Sequence, residues 1–516
     1  MSFLTSATDV AIEEDLKQFL IVLLVAVTAA SLPKIFAPLR QVPYTLLLLV
    51  VGLGLALVDV RLLHLSPGLI LMVFLPPLLF EAAWNLRWSE LKQEFLPSSL
   101  YAVGGVVISI AGVGWALHQF VGIPWMTSLL VGGCLSATDS AAVLGIFREV
   151  GASKRLTTLL EGEALLNDGA AVVAFGVLVE LAVSPQSFDL ATTIVRFFVV
   201  TGIGLGVGGT IGLCFAVLTQ RYELDWVEQS LTLVAAYGSY LLVEELGGSG
   251  VFGVVATGLV IGNFSTQPGV LPHKRSSLVD FWEFVTFLVN SILFLLLGDQ
   301  IHLPKLLQHI ETTAVAVVAI VGTRALTIYG FTALTNWLAR TNISWQNQTI
   351  LWWTGLRGSV SISLAIGLPL SICGRDEIIA NSFGVVWFTL LVQGLTTKPL
   401  LAKLNLLEDR SLQQQYLELL ARRDALQQVC AHLNRDTPPT IDLQLHRSHQ
   451  IFVQQQLQQL EADIEHLRES HSCLQALSLE RHQAELLAIE VNTYKNLVRD
   501  GSIEHPLKPI IQKVFE

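Results

Sequence analysis

Residues 161–175 read EGEALLNDGAAVVAF, and they lie within an apolar run of helical length that nevertheless carries Glu161, Glu163, Asn167 and Asp168. An ionisable group inside a membrane span costs about 2.5–3.5 kcal/mol on insertion scales, and such groups face a water-filled path or a partner. The stretch therefore reads as a site built into a membrane helix. At about 100° per residue, Glu163 and Asn167 share a face to within about 40°, whereas Asp168 is turned about 140° from Glu163. The two acids serve different neighbours.

The rest of the chain has the composition of a membrane protein. Of its 516 residues 52% are hydrophobic and 14% charged, and the mean hydropathy is +0.58. Apolar runs near 20 residues, repeated along a chain, are the signature of membrane helices. A hydropathy pass gives about thirteen, near residues 16–32, 44–58, 69–84, 100–120, 125–147, 159–181, 194–218, 226–246, 251–261, 278–297, 315–338, 350–370 and 379–395. The predicted fold class is an all-α membrane protein, with residues 1–404 as its transmembrane domain. Run 251–261 is short and rich in glycine, which also permits a re-entrant piece. Glu13, Glu14 and Asp15 precede the first run where a signal peptide carries positive charge, so that run reads as a retained span.

The net charge of −11 offers no basic footprint for nucleic acid. Five cysteines, Cys134, Cys214, Cys373, Cys430 and Cys473, lack the spacing of a disulfide framework or a zinc site. No cofactor is called for.

Loop charge sets the orientation. Eleven basic residues fall on one alternate set of loops: Lys34, Arg40, Arg87, Lys92, Arg148, Lys154, Arg155, Arg221, Lys274, Arg275 and Arg340. The other set holds Lys17, Arg61, Lys305 and Arg375. By the positive-inside rule the first set is cytoplasmic, which places the N-terminus outside and the C-terminal segment inside. Residues 405–516 change character to Gln, Leu, Glu and Arg, with apolar residues at three- and four-residue steps, and form a predicted cytoplasmic helical tail. Pro438 and Pro439 divide it into at least two helices. Packing, dimer support or regulation are all open to it.

Arg324, in VGTRALTIYG, is the basic residue set deepest in a predicted span. A guanidinium cannot shed its proton, so it demands a counter-charge. Glu163 is the partner that fits, giving a buried pair that ties two helices and stays ionised; the alternative for each is a snorkelling charge at a helix end. Asp168 is left as the acid free to take and release a proton. Asp139, in LSATDSAAVLG, and Glu81, in FLPPLLFEAAWN, can join it, although Glu81 also suits the cytoplasmic end of a helix bent by Pro76 and Pro77. The small residues around Asp139 favour an unwound segment whose carbonyls and half-helix ends face an ion, and TGLRGSVSISLAIG around Arg357 is its counterpart late in the chain. Two interrupted spans in corresponding halves point to a transporter of inverted repeats, with opposite charges offsetting the half-helix dipoles. Glu180, Glu228, Glu244, Glu245, Asp280, Glu283 and Asp299 read as interfacial or loop charges.

FLPPLLFEAAWNL, SATDSAAVLGIF, EGEALLNDGAAVVAF, GTRALTIYG and WWTGLRGSVSISLAIGLP, in this order, resemble the sodium/proton antiporters of the NhaP and NHE type over residues 15–400. The likeness is nearest to cyanobacterial NhaP-like members, which also carry a tail with a segment like ELLAIEVNTYKNLVRDG. The resemblance implies the NhaA-like fold with two crossing unwound helices, a homodimer, and a core bundle sliding against a dimer domain. It assigns ion binding to Asp168 and Asn167, to Asp139 and Thr138 on the unwound helix, and to Glu81. It also implies the Glu163–Arg324 ion pair. Two positions depart from the family pattern: Ser140 stands where Pro is usual, and Ala164 where a Ser often supplies an oxygen to the ion.

The expected activity is exchange of Na+ or Li+ for H+, since carboxylates and carbonyls are the hard oxygen donors that sodium prefers. One carboxylate changing state per cycle makes the exchange electroneutral, one ion for one proton, in a membrane read as the plasma or inner membrane. K+/H+ or Ca2+/H+ exchange on the same fold is the alternative, and a cation channel a more distant one. The chain is not read as an enzyme: an intramembrane aspartyl protease needs a YD and a GxGD signature, and LLLGDQ at Asp299 lacks the first Gly.

Overall fold

The computed structural model describes residues 7–36, 44–58, 67–139, 141–183, 190–221, 227–264, 272–300, 303–339, 342–404, 406, 410–435, 443–470 and a few positions beyond. The chain separates into two compact units, Met1–Leu406 and Leu407–Glu516. Every element described is helical, and a helix satisfies its backbone hydrogen bonds within itself, as a lipid surround requires.

The first unit runs α1 (Ala7–Ile35), α2 (Tyr44–Leu57), α3 (Leu75–Asn85), α4 (Trp88–Ser99), α5 (Gly105–Val121), α6 (Trp125–Cys134), α7 (Ala141–Val150), α8 (Lys154–Val183) and α9 (Leu190–Arg221). It continues with α10 (Val227–Glu245), α11 (Gly250–Phe264), α12 (Pro272–Asp299), α13 (Leu303–Gln308), α14 (Ile310–Ala339), α15 (Trp345–Trp353), α16 (Ser359–Ile366), α17 (Arg375–Phe388) and α18 (Gly394–Lys403). Short π-helical turns at Leu69–Phe74, Leu100–Gly104 and Thr389–Gln393 lead into α3, α5 and α18. Each apolar run read from the sequence carries helix. Among the described residues, six helical stretches are long and apolar enough to cross a membrane: Trp88–Val121, Lys154–Val183, Thr192–Thr219, Leu278–Asp299, Ile310–Leu338 and Arg375–Lys403.

Several of these helices begin earlier than hydropathy alone suggests, those at Trp88 and Lys154 through contacts with each other. The amphipathic α4 joins α5 through its π turn, and its polar face meets the first turn of α8: Lys154 pairs with Glu90 at 3.0 Å and Arg155 with Glu94 at 2.6 Å. Lys92, Lys154 and Arg155 therefore ride on helices rather than on loops.

Run 251–261, for which a re-entrant piece was open, is the middle of the continuous helix α11, buried along most of its length. Its small residues let it approach α9 at backbone contact. A Cβ on Gly208 would overlap Gly253, and Thr257 Oγ1 donates to the Gly208 carbonyl at 2.8 Å. Helices associate in lipid through such close van der Waals contact and interhelical hydrogen bonds. Large apolar side chains on the outer sides of α1, α9 and α10, including Leu24, Phe198 and Leu241, are exposed in the single chain.

Two pairs of successive helices are separated by short non-helical segments. Residues 135–139 between α6 and α7, and 355–358 between α15 and α16, are not helical. The breaks bond to each other: Asp139 N–H donates to Leu356 O at 2.8 Å, and Arg357 Nη1 donates to Ser136 O and Ala137 O at 2.7 and 2.9 Å.

The second unit contains α19 (Arg410–Arg435) and α20 (Leu443–Ser470), which pack through Tyr416, Leu420 and Ile464. Pro438 and Pro439 lie outside the described residues, as does most of the segment resembling the cyanobacterial tail.

Candidate ion-binding site

Helix α8 presents Glu163 and Asp168 to different surroundings. Glu163 is 1% exposed and Arg324, from α14, 5%. The guanidinium grips the carboxylate with both nitrogens, Nη1 on Oε1 and Nη2 on Oε2 at 2.9 Å, and Nη2 also donates to Leu351 O of α15 at 3.0 Å. Gly355 makes room for it, since a Cβ there would lie 2.7 Å from Arg324 Nε. This bidentate pair joins α8, α14 and the end of α15, and its charges are mutually satisfied.

On the other side of α8, Asp168 faces a cavity of about 360 Å³. Its wall carries Glu81 of α3, Thr138 and Asp139 of the first break, Glu161, Ala164 and Asp168 of α8, and Gly358 and Ser359 at the second break. Asp168 Oδ1 is buried without a hydrogen-bond partner, as is Thr138 Oγ1. Asn167 does not line the cavity; it is buried and its Oδ1 accepts the Thr138 N–H at 2.9 Å, capping a backbone donor that the break frees. Glu81 Oε1 accepts from Asn85 Nδ2 at 2.6 Å. Asp139 lies against Gly358, where a Cβ would overlap its carboxylate.

Arg357 is 1% exposed and touches two carbonyls of the first break, just past the end of α6. A cation there offsets the negative end of the half-helix. Its own backbone N–H donates to Thr389 Oγ1 of the last π turn at 3.1 Å. Glu81, Asp139 and Asp168 thus share one cavity, but not one point. Among the described residues no three His, Cys, Asp or Glu side chains converge to hold a metal ion.

Two departures from the family pattern have different standing. Ala164 is on the cavity wall and offers a methyl where a serine would offer an oxygen. Ser140 lies outside the described residues.

Sequence reasoning left one wall of the cavity unread. Glu283, Thr286 and Asn290 of α12 line it, at steps of three and four residues on one helical face. That polar stripe within an apolar run was the available signal; Glu283, read as an interfacial charge, is exposed in the single chain and lies on this wall. Asp299, also read as interfacial, is fully buried at the end of α12, and Glu244 Oε1 accepts the Gly250 N–H at 2.8 Å, capping the start of α11.

Residues 21–403 match the transmembrane domain of the sodium/hydrogen exchangers. The chain belongs to that family. Among its relatives, the Na+/H+ antiporter ApNhaP of Aphanothece halophytica is 48% identical over 507 residues, 98% of this chain and 97% of the relative. The low-affinity Na+/H+ antiporter NhaS1 of Synechocystis sp. is 46% identical over 506 residues, 97% of this chain and 96% of the relative. The solved structure of the sodium proton antiporter MjNhaP1 from Methanocaldococcus jannaschii superposes with a TM-score of 0.61 at 19% identity, over 76% of this chain and 100% of that one, a likeness of fold. As a member of the exchanger family with this set of apolar helices, the chain is a multi-pass membrane protein.

Proposed function

We propose that this exchanger-family chain is a secondary transporter that trades Na+ or Li+ for H+ by alternating access at one carboxylate, Asp168. The observation that carries the reading is the unpartnered, buried Oδ1 of Asp168 on the cavity wall, while Glu163 of the same helix is held by Arg324. A carboxylate in a water-poor place needs either a proton or a metal cation, and the two exclude each other. The names of the full-length relatives support sodium as the ion.

In this reading Thr138 and Asp168 contact the cation directly. Asp139 and Glu81 add negative potential along the cavity, Asn167 holds the first break in shape, and Arg357 balances the half-helix charge. Glu163 and Arg324 remain ionised throughout the cycle. Residues 1–404 form the exchanger domain, with about thirteen crossings, inverted repeats and the two interrupted helices crossing at the site. Residues 405–516 form a cytoplasmic tail. The protein works as a homodimer in the plasma or inner membrane with its N-terminus outside.

The test is dye-reported dissipation of a pH gradient in everted vesicles. Wild type responds to added Na+, whereas Asp168→Asn, present in the membrane at the same level, does not. A wild-type response in that variant overturns the reading. The same assay run with Li+, K+ and Ca2+ across a pH series assigns the cation. Current at zero pH gradient, without proton counter-movement, would mark a channel instead.

A further inference from the structure

Three polar atoms on the cavity wall are buried and lack any hydrogen-bond partner: Asp168 Oδ1, Thr138 Oγ1 and Thr286 Oγ1. The first two belong to the site already described. Thr286 belongs to α12, a different helix on the same cavity, in the middle of the polar stripe on that wall.

A hydroxyl sealed from water without a partner is costly, by about 1–3 kcal/mol on mutational scales. The neighbouring side chains do not relieve it. Phe287 beside it is apolar, and Asn290, one turn further along α12, lines the same wall. Sodium takes hard oxygen donors, and the position on α8 where a serine could add one is held by Ala164, which contributes a methyl. The cavity therefore has an orphan oxygen on one wall and an oxygen missing from another.

We propose that Thr286 is a cation ligand of the transport site, its Oγ1 completing from α12 the oxygen set that Asp168 and Thr138 begin. This rests on the reading that Asp168 holds the transported ion. It extends that reading by making the ion bridge α8 and the first break to α12, so that a bound cation draws α12 to the site in a way that a bound proton does not. A proton needs one oxygen; a sodium ion needs several.

The experiment compares wild type, Thr286→Val, Thr286→Ser and Asp168→Asn in everted vesicles, with protein levels matched and the Na+ and Li+ concentrations for half-maximal dequenching measured. Thr286→Val keeps the shape and removes the oxygen; it is expected to raise the half-maximal Na+ and Li+ concentrations about tenfold while the maximal response is retained. Thr286→Ser keeps the oxygen and is expected to stay within about twofold of wild type. A half-maximal concentration in Thr286→Val equal to wild type overturns the proposal, and so does a serine variant impaired as much as the valine one, since that points to packing. If the valine variant does not accumulate, Thr286→Ala is judged by the same criteria. An inactive Asp168→Asn with an unaltered Thr286→Val removes only the role of Thr286, whereas an active Asp168→Asn removes the reading beneath it.

Discussion

Asp168 and Glu163 lie five positions apart on one helix and meet opposite fates, one facing a cavity and the other locked to a guanidinium. The locked pair makes its own prediction. Removing one partner leaves a buried charge uncompensated, which costs about 3–5 kcal/mol, whereas replacing both with apolar groups removes the penalty. Glu163→Leu and Arg324→Leu singly are expected to lower the yield and melting temperature of detergent-solubilised protein, and the double variant to recover much of both. Equal loss in all three would show that the pair does not act as a unit. Ala164 carries a second prediction at this scale. Ala164→Ser adds an oxygen to the cavity wall at small steric cost, and one extra ligand interaction of about 0.5–1.5 kcal/mol corresponds to about two- to twelvefold in affinity. The Na+ concentration for half-maximal exchange should fall accordingly; an unchanged value would place that oxygen out of reach of the ion.

The elements that matter most are those that break regularity. The interruptions at 135–139 and 355–358 each leave helix-end groups without intrahelical partners. The chain answers them across the gap: Asn167 caps the Thr138 amide, Arg357 covers the Ser136 and Ala137 carbonyls just past α6, and Thr389 caps the Arg357 amide. The opposite case is α11, which stays regular and achieves closeness by lacking side chains. Because Gly208 meets the backbone of Gly253, Gly208→Val forces α9 and α11 apart. Overpacking of this kind costs about 1–3 kcal/mol, so the solubilised variant should melt a few degrees lower. An unchanged melting temperature would mean that the contact yields freely.

At the scale of the molecule, the proposed mechanism, with one carboxylate changing state per cycle, dictates the stoichiometry. If Asp168 carries either a proton or a sodium ion and Glu163 remains paired with Arg324, each cycle moves one positive charge each way. The exchange rate in proteoliposomes should then be insensitive to an imposed membrane potential. A rate that follows the potential would require a second carboxylate to titrate, and Asp139 and Glu81, on the same cavity, are where to look.

What the sequence determined by itself are the properties local to the chain. Hydropathy marked the runs that become helices, the cost of charge in lipid marked Glu163, Asp168, Asp139, Arg324 and Arg357 as residues needing an explanation, and clustered small residues marked the places where helix gives way. The family motifs lay in the same stretches for the same reason. Helix starts were less legible, because the first turns of α4 and α8 are polar and are held by each other's charges rather than by hydropathy. Tertiary structure alone decided which groups meet. The Glu163–Arg324 pair, across 161 residues, was the one such meeting that the sequence named; packing placed Ala164 on the cavity wall. It also turned one face of α12 toward that cavity, leaving Thr286 without a partner. Burial of a single residue is written in its own neighbourhood of the chain, whereas the partner of a buried polar group is chosen by packing between helices distant in sequence, and no local pattern encodes that choice.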